Sequence, residues 1–146
     1  MSTTLQPYGQ HYAGPPFEEA RVHDAMRIGV VTCRPQTSLR DAARIMVGYQ
    51  IHALVVGDVG TGERPWGILT DLDVAKAAAT GRIDATAGDA AGTDLVTVPV
   101  DESLETAAKL MSEHTCTHLL AVQPETGQPA GVVSALGLAA VLAAHG

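Results

Sequence analysis

The sequence predicts an α/β (α+β) fold made of two copies of one β-α-β-β-α unit. Three observations predict it. First, the chain overlays itself at an offset of 65, which carries Asp24 onto Asp89. Under that shift Val31-Thr32 meets Val96-Thr97, Ser38-Leu39 meets Ser103-Leu104, and Met46 meets Met111. After a one-residue slip in a turn, Gly67-Ile68-Leu69-Thr70 falls on Gly131-Val132-Val133-Ser134. Second, short β-branched runs alternate with segments of helical apolar period in each copy. Third, hydrophobic residues make up 46% of the 146 residues and aromatics only 3%, so the core is aliphatic. Two small copies must bury their apolar faces against each other, and the seam between them is the natural place for a ligand.

The elements follow in order. Residues 1–19 hold Pro, Gly and Tyr and read as a flexible tail. The first copy spans 20–81. Val22 to Met26 suits a helical turn, and Val30-Val31-Thr32 a short strand ended by Pro35. Thr37-Ser38 can cap a helix running to about Gln50, with Leu39, Ala42, Ala43, Ile45 and Met46 on its apolar face. Ala53 to Val56 is an apolar strand. The turn at Asp58 to Glu63 leads to the returning strand Trp66 to Thr70. Asp71 to Ala79 is an alanine-rich helix ended by Gly81. Residues 82–88 form a short linker. The second copy, 89–146, repeats the order: a turn at Asp89, a strand over Leu95 to Val98, and a helix from Ser103 to about Glu113. A hairpin of Leu119 to Val122 and Gly131 to Ser134 follows, then a last helix over Ala135 to Ala144.

Composition excludes some classes. A net charge of -7 argues against general binding to nucleic acid or anionic membranes. No apolar run reaches the roughly 18 residues that span a bilayer. The N-terminus lacks the charged and apolar regions of a secretory signal, so a cytoplasmic location is expected. Cys33 and Cys116 occupy non-equivalent places and lack CxxC spacing, which suits two small core residues. His114 and His118 flank Cys116, but His118 belongs at a strand start, so no metal site is expected.

The residues now carry a resemblance. Val22-His-Asp-Ala-Met26, Ser38-Leu-Arg-Asp-Ala-Ala-Arg-Ile-Met46, Gln50-Ile-His-Ala-Leu-Val-Val56 and Gly67-Ile-Leu-Thr-Asp-Leu-Asp73 resemble the CBS domain, the cystathionine-β-synthase-type module found in tandem pairs. The second copy matches through Leu95-Val-Thr-Val98, Ser103-Leu-Glu-Thr-Ala-Ala-Lys-Leu-Met111 and Gly131-Val-Val-Ser134. The resemblance covers about residues 20–145 and is similar to small stand-alone bacterial pairs (Bateman modules). It implies two copies packed about a pseudo-two-fold axis and clefts that bind AMP, ADP, ATP or S-adenosylmethionine. It also implies a disc-like homodimer.

The family pattern Gly-apolar-apolar-Ser/Thr-x-x-Asp is intact at Gly67, Ile68, Leu69, Thr70 and Asp73. Asp73 lies three residues after Thr70, so both can face one cleft. A carboxylate there can accept both ribose hydroxyls, and a hydroxyl with free helix-start N–H groups suits a phosphate. By resemblance Val96, Cys116, Thr117 and Ile68 line the adenine, and His52 points toward the phosphate. The alternative is that Thr70 and Asp73 are only a helix cap. The second cleft, with Val31, Ile51 and Ser134, is degenerate, because Gly137 stands in place of the Asp. Leu72 also replaces a frequent Arg; Lys76, one turn further on, can compensate, the alternative being a solvated lysine.

The leading expectation is therefore a regulatory module that binds an adenosyl ligand between the copies and signals by conformational change. No cofactor is certain. The alternative is a ligand-free dimerisation or protein-interaction scaffold. No nucleophilic triad, P-loop, paired-acid site or metal cluster is found, so catalysis is not expected. Asp71 and Asp73 point apart on a helix. A homodimer is expected through the alanine-rich faces of Val74 to Ala79 and Leu138 to Ala144. A regulated protein partner is expected but not named by the sequence.

Overall fold

The computed structural model describes residues 12–57, 65, 67–92 and 95–144. Residues 1–11 of the tail, the turn at 58–64 and Trp66 lie outside the described residues. The order is α1 (Val22–Ala25), β1 (Arg27–Ile28), β2 (Thr32–Cys33), α2 (Leu39–Tyr49), β3 (Ala53–Val56), β4 (Gly67–Thr70) and α3 (Asp71–Ala79). It continues with α4 (Ala87–Ala90), β5 (Thr97–Pro99), α5 (Leu104–His114), β6 (His118–Val122), β7 (Pro129–Ser134) and α6 (Ala135–Ala144). The predicted mixed fold is present, with one sheet of β2, β3 and β4 and another of β1, β5, β6 and β7. The chain forms two compact units. One is Val30–Leu95, and the other joins Met1–Gly29 to Val96–Gly146.

In the unit Val30–Leu95 the sheet order is β2-β3-β4. Thr32 pairs with Val55 in parallel, and Ala53 pairs with Thr70 in antiparallel register. The helix α2 starts at Ser38, whose hydroxyl accepts from the Asp41 N–H at 3.1 Å. It stops at Gln50, which turns left-handed at φ 54°. Leu39, Ala42 and Met46 are buried against Leu54, Val56 and Leu69, as the helical period requires. The turn α4 packs here too: Ala87 N–H donates to the Thr37 carbonyl at 2.7 Å, and Gly88 N–H to Pro35 at 2.9 Å.

In the other unit the order is β1-β7-β6-β5. The core is Leu104, Ala107, Leu119, Ala121, Val133 and Val141, joined by Ala20 and Val22 from the start of the chain. Val22 N–H donates to the Glu102 carbonyl at 2.8 Å, and His23 N–H to Val100 at 2.9 Å. Tyr12 and Phe17 also pack on this core. The repeat and the compact units thus divide the chain differently. The leading segment of the chain completes the second copy, and the turn at Asp89 completes the first.

Two strands differ from expectation. β2 begins at Thr32, not Val30, and β5 begins at Thr97, not Leu95. Val30, Val31, Leu95 and Val96 are half-buried connections before the strands. β1 was not expected at all. Arg27 pairs with Val132 across it, and both its residues are exposed, so no buried periodicity marks it.

Candidate functional site

The site is built where β4 passes into α3. Thr70 ends the strand and caps the helix. Its hydroxyl accepts from the Asp73 N–H at 3.2 Å. Asp73 Oδ2 accepts in return from the Thr70 N–H at 2.9 Å and from the Thr70 hydroxyl at 3.0 Å. This is a reciprocal capping box, which satisfies donors that the helix start leaves over. The cap reading of this pair is therefore present in the geometry. Asp73 is only 6% exposed and is the one buried charged residue among those described. Two hydrogen bonds converge on Oδ2. Its other oxygen, Oδ1, accepts none from the described residues. A Cβ added at Gly92 would lie 3.1 Å from that oxygen. Gly92 thus comes close to this oxygen, and the sequence pattern did not single it out.

Ile68 is buried in β4 opposite Val55. His52 stands before β3 at the same end of this sheet as Thr70. Its Nδ1 lies 2.8 Å from Asp71 Oδ2, with both side chains more than half exposed. Its carbonyl accepts from the Asp71 N–H at 3.0 Å. The pair ties the approach to β3 to the first residue of α3. Leu72, in place of the frequent Arg, is 59% exposed. Lys76 is exposed one turn further along.

Val31 and Ile51 lie in this same unit and are half-buried. Val31 carbonyl accepts from Val55 at 3.1 Å. Ile51 borders a cavity of about 330 Å³ that also meets Ala43, Met46, Val47, Gln50, His52, Asp71 and Val74. The cavity is mostly apolar and opens between α2 and the start of α3.

Val96, Cys116, Thr117 and Ser134 belong to the other unit. Val96 and Cys116 are half-buried and pack on its core. Burial pushes the Cys116 thiol above its ordinary value, and a backbone hydrogen bond at His118 opposes that. Thr117 is exposed, with its hydroxyl 2.9 Å from His118 Nδ1. Ser134 repeats the role of Thr70: its hydroxyl accepts from the Gly137 N–H at 3.0 Å. Ala135 N–H donates to Thr117 at 2.8 Å, as Asp71 does to His52. The second copy therefore keeps the backbone frame but lacks the carboxylate and the imidazole. Gly137 is buried where Asp73 stands in the first copy.

Burial also raises the Cys33 thiol, which sits in the first core. Among the described residues no three His, Cys, Asp or Glu side chains gather as metal ligands. No helix among them is long and apolar enough to cross a membrane.

Comparison with known proteins identifies the family and the fold. The family model of the CBS domain matches residues 22–80 and 87–144. The CBS domain-containing protein YhcV of Bacillus subtilis is 34% identical over 95 residues, covering 64% of this chain and 66% of the relative. A homoserine O-acetyltransferase of Methanocorpusculum labreanum is 33% identical over 99 residues, 67% of this chain but 19% of that enzyme. The chain thus spans less than two thirds of the length of both relatives. Among solved structures, the CBS domain pair of protein MJ0100 in complex with 5′-methylthioadenosine and S-adenosyl-L-methionine is similar. Its TM-score is 0.78 at 22% identity, covering 87% of this chain and 98% of that one. The CBS domain protein PAE2072 of Pyrobaculum aerophilum, complexed with AMP, gives 0.73 at 20% identity, covering 86% and 99%.

Proposed function

The chain belongs to the CBS domain family, and from that premise we propose that it is a regulatory module that binds an adenosyl ligand at Thr70 and Asp73. One observation carries the reading. Asp73 is a buried carboxylate whose Oδ2 is held by the cap while Oδ1 accepts no hydrogen bond from the described residues. Oδ1 still reaches solvent, so the carboxylate can accept a donor there, and ribose hydroxyls are donors of the right kind. The adenosyl ligands of MJ0100 and PAE2072 support the class of ligand. AMP, ADP, ATP and S-adenosylmethionine are its members here.

His52 takes the phosphate end in this proposal, with Ile68 against the adenine. Val96, Cys116 and Thr117 enter as adenine contacts through the family resemblance alone. Val31, Ile51 and Ser134 belong to the second, degenerate cleft, where the carboxylate is missing. One ligand per chain follows. The bound ligand would signal by favouring one arrangement of the chain over another, through its different affinity for the two. Leu72 in place of Arg favours a monophosphate or S-adenosylmethionine over a triphosphate.

A second reading is favoured by the closure around Asp73. The carboxylate is capped and Gly92 stands close to Oδ1. A scaffold with no ligand would keep this arrangement permanently. Calorimetric and thermal-shift titration with AMP, ADP, ATP and S-adenosylmethionine separates the two. The sensor reading expects one of the four to bind with a stoichiometry of one and to fail on Asp73→Ala. No heat and no shift with any of them would leave the scaffold.

A further inference from the structure

The cavity between α2 and α3 carries a polar pair that the fold does not need. In the first copy the Asp71 N–H donates to the His52 carbonyl at 3.0 Å, and in the second the Ala135 N–H donates to Thr117 at 2.8 Å. The backbone frame therefore forms with or without an imidazole and a carboxylate on it. The His52–Asp71 contact, at 2.8 Å, is an addition to the first copy. Both side chains line the cavity of about 330 Å³ whose apolar wall includes Met46, Val47, Ile51 and Val74. At the matching positions the second copy has Met111, Ser112, Cys116 and Leu138. Leu138 is 7% exposed and packed into its core. Val74 is one methylene smaller and half-buried, and it borders open space. The first copy thus combines an apolar hollow with a polar rim, and the second copy has the residues for neither.

We propose that this cavity is a second ligand site, for a small amphipathic amine whose apolar body lies between α2 and α3 and whose ammonium donates to His52 Nε2 beside Asp71. The chemistry of the rim selects that class. A carboxylate only accepts, so His52 Nδ1 carries its proton toward Asp71 and Nε2 of the neutral ring is an acceptor. His52 makes no other side-chain hydrogen bond among the described residues. Asp71 lines the cavity and no Lys or Arg does, on a chain of net charge -7, so the field at the rim favours a cation. Both rim side chains are more than half exposed, so an ammonium there keeps much of its water while the apolar body is covered. A carboxylate head would meet the charge of Asp71 and find no donor on Nε2. An amide head would keep the hydrogen bond but lose the attraction. The volume stands at the lower end of the range for small-molecule sites, which sets a ligand of roughly ten non-hydrogen atoms.

The site shares His52 with the adenosyl reading but does not rest on it, because the test contains no nucleotide. The full chain is titrated by calorimetry with octylamine, octanamide and octanoate, which share one body and differ in the head. Octylamine is expected to bind saturably, octanamide about tenfold more weakly, and octanoate more weakly again. Ethylamine, which has the head without the body, is expected to give no saturable heat. Val74→Leu installs the residue of the second copy and is expected to weaken octylamine and octanamide alike by about tenfold or more. Asp71→Asn is expected to bring octylamine down to the affinity of octanamide. Thermal melting checks that each variant is folded, and titration of Val74→Leu with AMP reports on the Thr70 and Asp73 site alone. A wild type that does not bind octylamine overturns the proposal. So does octanoate binding as tightly as octylamine. Octylamine binding that ignores Val74→Leu overturns it too, since the amine would then sit elsewhere on the acidic surface.

Discussion

Gly92 approaches Asp73 so closely that a methyl group in its place would stand 3.1 Å from the carboxylate Oδ1. Most real carbon contacts are longer, so a larger residue there must press on the carboxylate or turn away from it. Gly92→Val therefore covers the one oxygen that the cap leaves over. We expect a fall in adenosyl-ligand affinity of about tenfold or more, the scale of one lost charge-assisted hydrogen bond. The melting temperature should change little. Calorimetry on the variant checks this, and an unchanged affinity would remove Oδ1 from the site.

The capping box makes a separate prediction about stability. Thr70 and Asp73 each satisfy a donor of the other. Thr70→Ala and Asp73→Ala should each destabilise the chain by about 1–2 kcal/mol. The double variant should cost less than the sum, because the second change removes an interaction already gone. Denaturant unfolding of the four proteins measures the coupling. Strict additivity would mean that the two side chains do not act as one cap in solution.

Much of this was legible in the chain, and the reasons are specific. α2 was readable because Leu39, Ala42 and Met46 keep a helical period and Ser38 is a good cap. β3 was readable because four apolar residues lie between turn signals. β1 was not, because Arg27 and Ile28 are both exposed and their pairing depends on a distant strand. The Thr70–Asp73 pair was visible as a motif. Its burial and the approach of Gly92 were not, since Gly92 lies far along the chain and a lone glycine carries no direction. The packing of Val22 with Leu104 and Val98 was equally hidden. The period shows that two copies exist, but not that the leading turn of the chain completes the second one.

β1 nevertheless depends on one residue that the repeat does mark. A side chain at Gly131 would overlap the Arg27 carbonyl and press on Met26 Sδ. Gly131→Ala should therefore expel β1 from the edge of β7 and cost about 1–3 kcal/mol. Amide exchange would report the site of the loss. The bond from Gly29 N–H to the Ala130 carbonyl, 3.0 Å long, should open first. Unchanged protection at Gly29 would show that β7 has room for the methyl group.

The two thiols predict a dependence on alkaline pH. Burial raises both Cys33 and Cys116 above the ordinary value of 9.0. The folded chain then holds these protons more tightly than the unfolded one. The associated stability is fully present below pH 9.0 and is lost as pH rises toward the raised folded values. The double variant Cys33→Ala, Cys116→Ala should lose less stability between neutral and alkaline pH than the wild type does. Taking the difference between the two proteins cancels the lysines and tyrosines that titrate in the same range. Parallel curves would mean that both thiols are as accessible in the fold as in the open chain.

The second copy offers a gain rather than a loss. Ser134 already caps α6 through the Gly137 N–H at 3.0 Å, in the frame that Thr70 and Asp73 use. The frame lacks only a carboxylate, so Gly137→Asp should close a second capping box and supply the missing acceptor for a ribose. Replacing a helical glycine also removes a penalty of roughly 0.5 kcal/mol relative to other residues. Burial of the position opposes these gains, because the new charge must be satisfied by the cap or by a ligand. The variant should therefore be less stable than the wild type without ligand and recover with it. Its adenosyl-ligand stoichiometry should rise from one to two per chain. A stoichiometry that stays at one in a folded variant would mean that the carboxylate is not what the second copy lacks.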